Sequence, residues 1–301
     1  MPLVMDSCVQ DRPGMLNHDD NLCFLIHLAD GLQVEAVYYG SGTLCISSQA
    51  GCGVGCPFCA SGAHGLLRNL SRAELHHQLQ WVRNQGISPR ALTLSGIGEP
   101  LHNPVAVAEF LGDCIAAGLP PSLTTIGAPL NHLRQFLQLP HNGLTLSLHA
   151  GQVATHQRLI PAGPDLDQLF ALLLQLWPQL SRRRRRKIAI NYLLLHQIND
   201  SPAELDALLT RLRPFPEPTI HLLSCNPVPG SRFRSPPADQ QQLWYQTLRA
   251  AGLNARRPNR WRRQRRGGCG TLVARAAGSL LPHTLDHCFN NGSDDGRLVG
   301  K

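Results

Sequence analysis

The chain has no long apolar run. Of its 301 residues 43% are hydrophobic and 16% charged, and no uncharged stretch approaches the ~20 residues that a membrane-spanning helix needs. That balance argues against both an intrinsically disordered chain and a membrane protein. The start, MPLVMDSCVQDRPG, carries acids and a proline where a secretory leader has a basic start and an apolar stretch. Without such a leader, the ten cysteines point to thiols kept for metal or redox work in a reducing cytosol, not to a disulfide framework. Beyond Cys56 and Cys59 there is no second C-x2-C pair, so a structural zinc site lacks the two cysteine pairs it usually draws on. No repeat appears beyond an alternation of strands and helices.

What is present is concentrated in one stretch, TLCISSQAGCGVGCPFC. Cys52, Cys56 and Cys59 form a C-x3-C-x2-C triplet, with Cys45 seven residues upstream. Three closely spaced thiolates can hold three irons of a 4Fe–4S cube and leave the fourth iron open for chemistry. Gly51, Gly53 and Gly55 allow the backbone to fold tightly around an inorganic core, and Pro57 stiffens it before the last ligand. The net charge is +8, and the excess is clustered. Arg182 to Lys187 is six consecutive cations, and seven arginines lie between Arg256 and Arg266. Such clusters suit a polyanionic partner, although a run like 182–187 is equally at home on a solvated surface.

Hydrophobic patterning predicts an α/β chain. Residues 1–30 give no clear signal, and Cys8, Cys23 and His27 have no partner spacing. From Gly31 two strands are joined by a Gly-Ser-Gly turn, with Glu35 inside the first. Ser71 and Glu74 announce a helix by a capping box. The strand 91–95 runs into Gly96-Ile-Gly98-Glu99, and Asn103 with Pro104 opens the next helix. Strands over 122–125, 144–148, 188–195 and 219–223 alternate with helices over 129–137, 166–176, from Ser201 and over 238–251. About six strand–helix alternations predict parallel pairing, either in a βα barrel or in a doubly wound sheet. Polar residues fall just after the strands, at Gly98 and Glu99, Thr124, Ser147 to His149, and Asn226, where such folds bind ligands.

In motif order and spacing, TLCISSQAGCGVGCPFC, GIGEPLHN, SLHA, RLIP, LLLHQINDS, CNPVPG and GGCGTL resemble the radical S-adenosylmethionine (SAM) adenine-C2 RNA methyltransferases of the RlmN/Cfr type. The match covers about residues 31–272. The resemblance implies a partial (βα)6 barrel over 39–272, a short N-terminal β extension over 1–38 and a polar tail over 273–301. It implies one 4Fe–4S cluster on Cys52, Cys56 and Cys59. It also implies SAM bound by Gly98, Glu99, Thr124, Ser147, Leu148, His149 and Asn226, an rRNA or tRNA substrate, and a flavodoxin or ferredoxin as electron donor. Adenine C2 is electron-poor and cannot take a methyl cation by simple displacement. The resemblance therefore implies that Cys269 carries the methyl as S-methylcysteine, Glu35 accepts the ring proton, and Cys45 releases the product through a transient disulfide.

Three departures from the family pattern bear on the substrate. Only 34 residues precede Glu35, too few for the family's accessory domain, and the loop between Glu35 and Cys45 is short. The segment before Cys269, RWRRQRRGGCGT, is far more basic than its counterpart in the family, which implies a different RNA. The competing reading is a radical SAM enzyme for a peptide or small molecule. A basic RNA-binding protein with a degenerate cluster is a further alternative that the intact triplet disfavours.

Overall fold

The computed structural model describes residues 21–226, 228, 230–263 and 270–274. Its strands are β1 (Leu22–His27), β2 (Gln33–Tyr39), β3 (Thr43–Ile46), β4 (Gln49–Gly51), β5 (Leu66–Asn69), β6 (Ala91–Leu94), β7 (Pro121–Thr125), β8 (Gly143–Ser147), β9 (Ile188–Leu194), β10 (Thr219–Ser224) and β11 (Asn254–Arg256). The α-helices are α1 (Arg72–Asn84), α2 (Pro104–Ala116), α3 (Leu130–Phe136), α4 (Val153–Leu159), α5 (Leu166–Leu176), α6 (Arg182–Arg185), α7 (Pro202–Leu212) and α8 (Ala238–Ala250). One nine-stranded sheet runs β1-β2-β3-β6-β7-β8-β9-β10-β11. From β3 onward every pairing in it is parallel, while β1 and β2 add an antiparallel hairpin at one edge. β4 and β5 form a separate ribbon that carries the cysteine triplet in its connection. The fold is a radical SAM partial barrel with an N-terminal β extension. Patterning missed β1, whose residues are only part-buried at the sheet edge, and the short strands β4, β5 and β11.

Register gives the sheet two unlike faces. Leu44, Leu92, Leu123, Leu144, Ile188, Ile190 and Ile220 join the buried core together with α1, α2, α3, α5, α7 and α8. Residues one step along point the other way. Cys45 pairs with Thr93 and Val37, Thr124 with Thr145, and Ser147 with Asn191, which pairs with His221. Helix-facing positions are aliphatic, and interior positions are largely small or polar. A sheet buried on both faces by apolar contacts would read as continuous hydrophobic runs. This one leaves a polar interior for a ligand.

The helix signals act as expected at α1, where Ser71 and Glu74 make a full capping box, a feature typically worth about 1 kcal/mol. They act differently elsewhere. Asn103 stands at the start of α2 without capping it; its amide instead donates to the Ser48 and Leu70 carbonyls at 3.0 and 2.7 Å. Ser201 caps α7, but the buried Glu204 carboxylate leaves the box and accepts from Gly151 N and Gln152 N at 2.7 and 3.1 Å. This brings the backbone of α7 directly against the β8–α4 loop. A Cβ on Gly151 would lie 2.2 Å from the Glu204 carbonyl and 2.6 Å from Leu208 N. Both are backbone atoms held in a helix, so they cannot give way singly. Gly151→Ala is expected to lower unfolding free energy by about 3 kcal/mol, read as a shift of the denaturant midpoint. An unchanged midpoint would show that α7 is not pinned there.

Candidate active site

The site is built at the carboxyl ends of the parallel strands. After β3 the chain makes Ser47, Ser48 and Gln49 and enters the triplet loop. After β6 it makes Ser95 and the Gly96–Glu99 turn. These two turns are stitched together. Ser47 Oγ accepts from Ile97 N, and Ser48 N and Gln49 N donate to the Ile97 carbonyl. Gln49 Oε1 accepts from Glu99 N at 2.8 Å. Gly98 takes φ +101°, and a Cβ there would meet Gln49 Cβ at 2.6 Å. Only glycine fits this approach.

Cys52, Cys56 and Cys59 sit close enough for their charges to couple. Burial pushes Cys52 up to about 11, and the charges of Cys59 and Glu99 add to the rise. Burial raises Cys56 further, with Cys59 and Cys52 contributing. The Gly98 backbone lies against the Cys52 thiol and eases it down. Gly51 and Gly55 adopt the left-handed backbone at φ +81° and +72°, whereas Gly53 does not require it. Among the described residues no three His, Cys, Asp or Glu side chains converge to hold a single metal ion. A cube takes its thiolates at separate corners, so this loop, compact and glycine-wrapped, fits that group. No disulfide joins any two described cysteines.

Glu99 is almost fully buried and turned into the protein. Oε1 accepts from Leu101 N and the Thr125 hydroxyl, at 3.0 and 2.5 Å, and Oε2 from Ile126 N at 2.8 Å. Burial raises its carboxyl to about 7 against the pull of those donors. Thr125, not Thr124, makes this contact; Thr124 faces the barrel interior beside Thr145. The period of two puts neighbouring threonines on opposite faces, which sequence alone does not resolve. Ser147 is buried beside Asn191, and the Leu148 side chain lies in the core with its N–H bonded to the Asn191 carbonyl. His149 takes φ +54°. Its Nδ1 accepts from Leu193 N at 3.0 Å, which places the ring proton on Nε2. The Phe58 ring meets it edge-on at 5.3 Å. Asn199, wholly buried, donates to the His149 carbonyl at 2.7 Å and fixes this turn. Asn226 donates to the Arg262 carbonyl at 3.0 Å, tying the β10 end to the arginine-rich segment.

The far end of the chain returns to this place. Ala60 N, next to Cys59, donates to the Gly270 carbonyl at 2.9 Å. Ser61 Oγ donates to the Leu272 carbonyl at 2.7 Å. Val273 N donates to Glu35 Oε2 at 2.8 Å. Residues 270–274 thus span from the triplet loop to β2, and Glu35 shares the sheet face of Val37, the partner of Cys45. Cys45 is buried, with Sγ 3.3 Å from Ser95 Oγ. Cys269, like Cys8, Cys288 and most of the polar tail, lies outside the described residues.

No protein-family model matches the chain. A "Probable RNA methyltransferase" from Chromobacterium violaceum is 33% identical over 89% of this chain and 75% of its own length. A "Dual-specificity RNA methyltransferase RlmN" from Halorhodospira halophila is 34% identical over 83% of this chain and 72% of its own. The chain belongs to the RlmN-type RNA methyltransferase family. A radical SAM methyltransferase from Sphaerobacter thermophilus superposes with a TM-score of 0.72 and 26% identity over 86% of this chain and 79% of that one. The chain is therefore an enzyme, a radical SAM methyltransferase, and membership of the RlmN type implies a 4Fe–4S cluster and SAM.

Sequence reading overlooked the residues that organise the site: Gln49, Ser95, Thr125, Asn191 and Asn199. Each is a polar residue on or after a strand, and its partners are visible only once register is known.

Three buried histidines and the half-buried His221 give the fold an acid limit. Burial holds His149 down to about 3 and His141, His156 and His221 down to about 4. An unfolded chain protonates them near 6.5. Between these values unfolding takes up four protons, and Glu99, with its raised carboxyl, releases one. His102 is also held down by burial, so stability is expected to fall as pH drops from about 6.5 to about 4, with a net uptake of protons on unfolding. Thermal midpoints measured across that range check it; a flat profile contradicts it.

Proposed function

We propose that this RlmN-type enzyme methylates an adenosine of ribosomal or transfer RNA, at C2, with Cys269 as the methyl carrier. The observation that carries this reading is the return of residues 270–274 to the triplet loop and to Glu35. Cys269 is bonded to Gly270, whose carbonyl is held by the residue following Cys59. The three hydrogen bonds fix Gly270, Leu272 and Val273 beside the triplet loop and Glu35, which supports reading the residue before Gly270 as the methyl carrier. Cys52, Cys56 and Cys59 would hold the cube. When bound, it supplies the one-electron chemistry that splits SAM, with a flavodoxin- or ferredoxin-type carrier delivering the electron. Gly98, Glu99, Thr124, Ser147, Leu148, His149 and Asn226 would surround SAM. Several of these act indirectly: the Leu148 side chain is in the core, so only its backbone faces a ligand, and Glu99 shapes the turn.

The chain's own residues then do the following. Cys269 brings a methylene carbon to adenine C2, and the ring proton passes to Glu35. The remaining unpaired electron returns to the one-electron carrier, which leaves a closed-shell thioether. The Cys45 thiolate attacks the Cys269 sulfur. A sulfur–sulfur bond forms, the bond from that sulfur to the methylene carbon breaks, and its electron pair stays on carbon, which takes a proton to become methyl. An external dithiol reduces the disulfide, a cycle suited to a reducing cytosol. Glu35 also accepts the Val273 N–H, so Glu35→Gln would keep one acceptor while losing the base.

RNA contact is supported by the basic rim at this end of the barrel. Arg232, Arg234, Arg256 and Arg263 are exposed, and Arg257 stacks on Tyr245. The 182–187 run lies at the opposite end, before β9. There Arg184, Arg185 and Lys187 are spent on the carbonyls of Leu137, Gln138, Trp177, Leu180 and His141.

Two outcomes follow. Peptide mass spectrometry of protein matured with SAM and a full cluster should find a methyl group on Cys269, and its absence would demote the reading. In RNA binding, replacing Arg234, Arg256 and Arg263 by Gln should reduce the salt slope by about one for each phosphate no longer neutralised. Replacing Arg182 and Arg183 should leave it unchanged. A slope indifferent to the first set removes RNA from this rim.

A further inference from the structure

The parallel register of β3 and β6 does more than close the barrel. It pairs Cys45 with Thr93, so Ser95, two residues on, rises on the same face just beyond the end of β6. Ser95 Oγ lies 3.3 Å from Cys45 Sγ, and Thr93 Oγ1 donates to Ser95 Oγ at 3.3 Å. Cys45 is 1% exposed and Thr93 9%, so these two side chains are shielded from water, while Ser95 at the strand end is half-buried. We propose that Ser95, backed by Thr93, is a positioning residue that donates its proton to the Cys45 sulfur and readies it to attack.

Either atom of the Cys45–Ser95 pair can donate, and the Thr93 contact favours donation by Ser95 once the sulfur is ionised. A hydroxyl has one proton. With the Thr93 proton directed at the Ser95 oxygen, the proton of Ser95 is left for sulfur, a strong acceptor only when ionised. Hydrogen bonding to the charged form favours that form, and a chain of two hydroxyls strengthens it. The same contact fixes where the sulfur points. Cys45 has no choice of face, because β3 is held between β2 and β6, and its side-chain rotation is set by the groups around it. Ser95 provides one from the neighbouring strand end. Ser95 touches neither RNA nor SAM in this scheme; it acts through Cys45 alone.

The inference rests on the reading of Cys45 as the thiol that releases product, and the test separates the two. Single-turnover reactions with full-length holoenzyme and target RNA are quenched over a pH series. Covalent protein–RNA adduct is read on denaturing gels, and 5′-deoxyadenosine release is measured alongside. Cys45→Ala should trap the adduct. Ser95→Ala should form it at the wild-type rate, with 5′-deoxyadenosine unchanged, yet resolve it about tenfold more slowly at pH 7. A loss of that size corresponds to one hydrogen bond to a charged group. The deficit should shrink towards pH 9 as the thiol ionises unaided, and Ser95→Thr should resolve adduct like the wild type. If Cys45→Ala traps adduct while Ser95→Ala resolves it at the wild-type rate, the inference is wrong and the function stands. A Ser95→Ala deficit equal at every pH also overturns it, since that marks a packing defect. If Cys45→Ala traps nothing, the proposed function fails and this inference fails with it.

Discussion

Three hydrogen bonds from residues 270–273 hold the site together: Ala60 N to the Gly270 carbonyl, Ser61 Oγ to the Leu272 carbonyl, and Val273 N to Glu35. They join the triplet loop, β2 and the far end of the polypeptide, which are separated by over two hundred positions in the chain. Leu272 and Ala274 are buried in the main core, so the segment is anchored by apolar contact as well as by polar bonds. An end that is both packed and hydrogen-bonded is a fixed part of the barrel. The chemistry proposed for Cys269 requires that fixity.

The second constraint is the division of the sheet into an aliphatic face and a polar one. Leucines and isoleucines at alternate positions carry the helices. Their neighbours in sequence present Cys45, Thr93, Thr124, Ser147, Asn191 and His221 to the interior. Stability and function therefore occupy interleaved positions of the same strands, and the turns after those strands are locked by Gln49, Glu99 and Asn199. Each lock uses a buried polar group that is satisfied by backbone, which makes the turns rigid. A rigid polar cup next to three coupled thiols is a setting in which a reactive species can be kept from water.

Much of this was legible in the sequence, and the reasons for the rest are physical. Helices with caps and clear apolar stripes, such as α1, α5 and α7, are visible from pattern because their signals are local. β1 was not, since an edge strand buries little and its pattern is weak. Thr124 and Thr125 are adjacent and chemically alike; only the sheet register tells which one faces the ligand space and which one holds Glu99. Asn103 and Glu204 look like capping residues, yet tertiary partners claim their side chains, a competition that local rules do not weigh. By composition the 182–187 run reads equally as a polyanion site or a solvated surface; Arg184, Arg185 and Lys187 bind backbone carbonyls at the end of the barrel opposite the chemistry. Motif order was the strongest signal, because seven short segments fall in the family's order along the chain.

The central claim is that the thiol next to Gly270 and the thiol on β3 share one cavity. Mild oxidation of the cluster-free protein, followed by non-reducing peptide mapping, tests it directly. The account predicts a dominant bond between Cys45 and Cys269. Recovery of both cysteines as thiols, or pairing of Cys269 with a cysteine remote from β3, would contradict it.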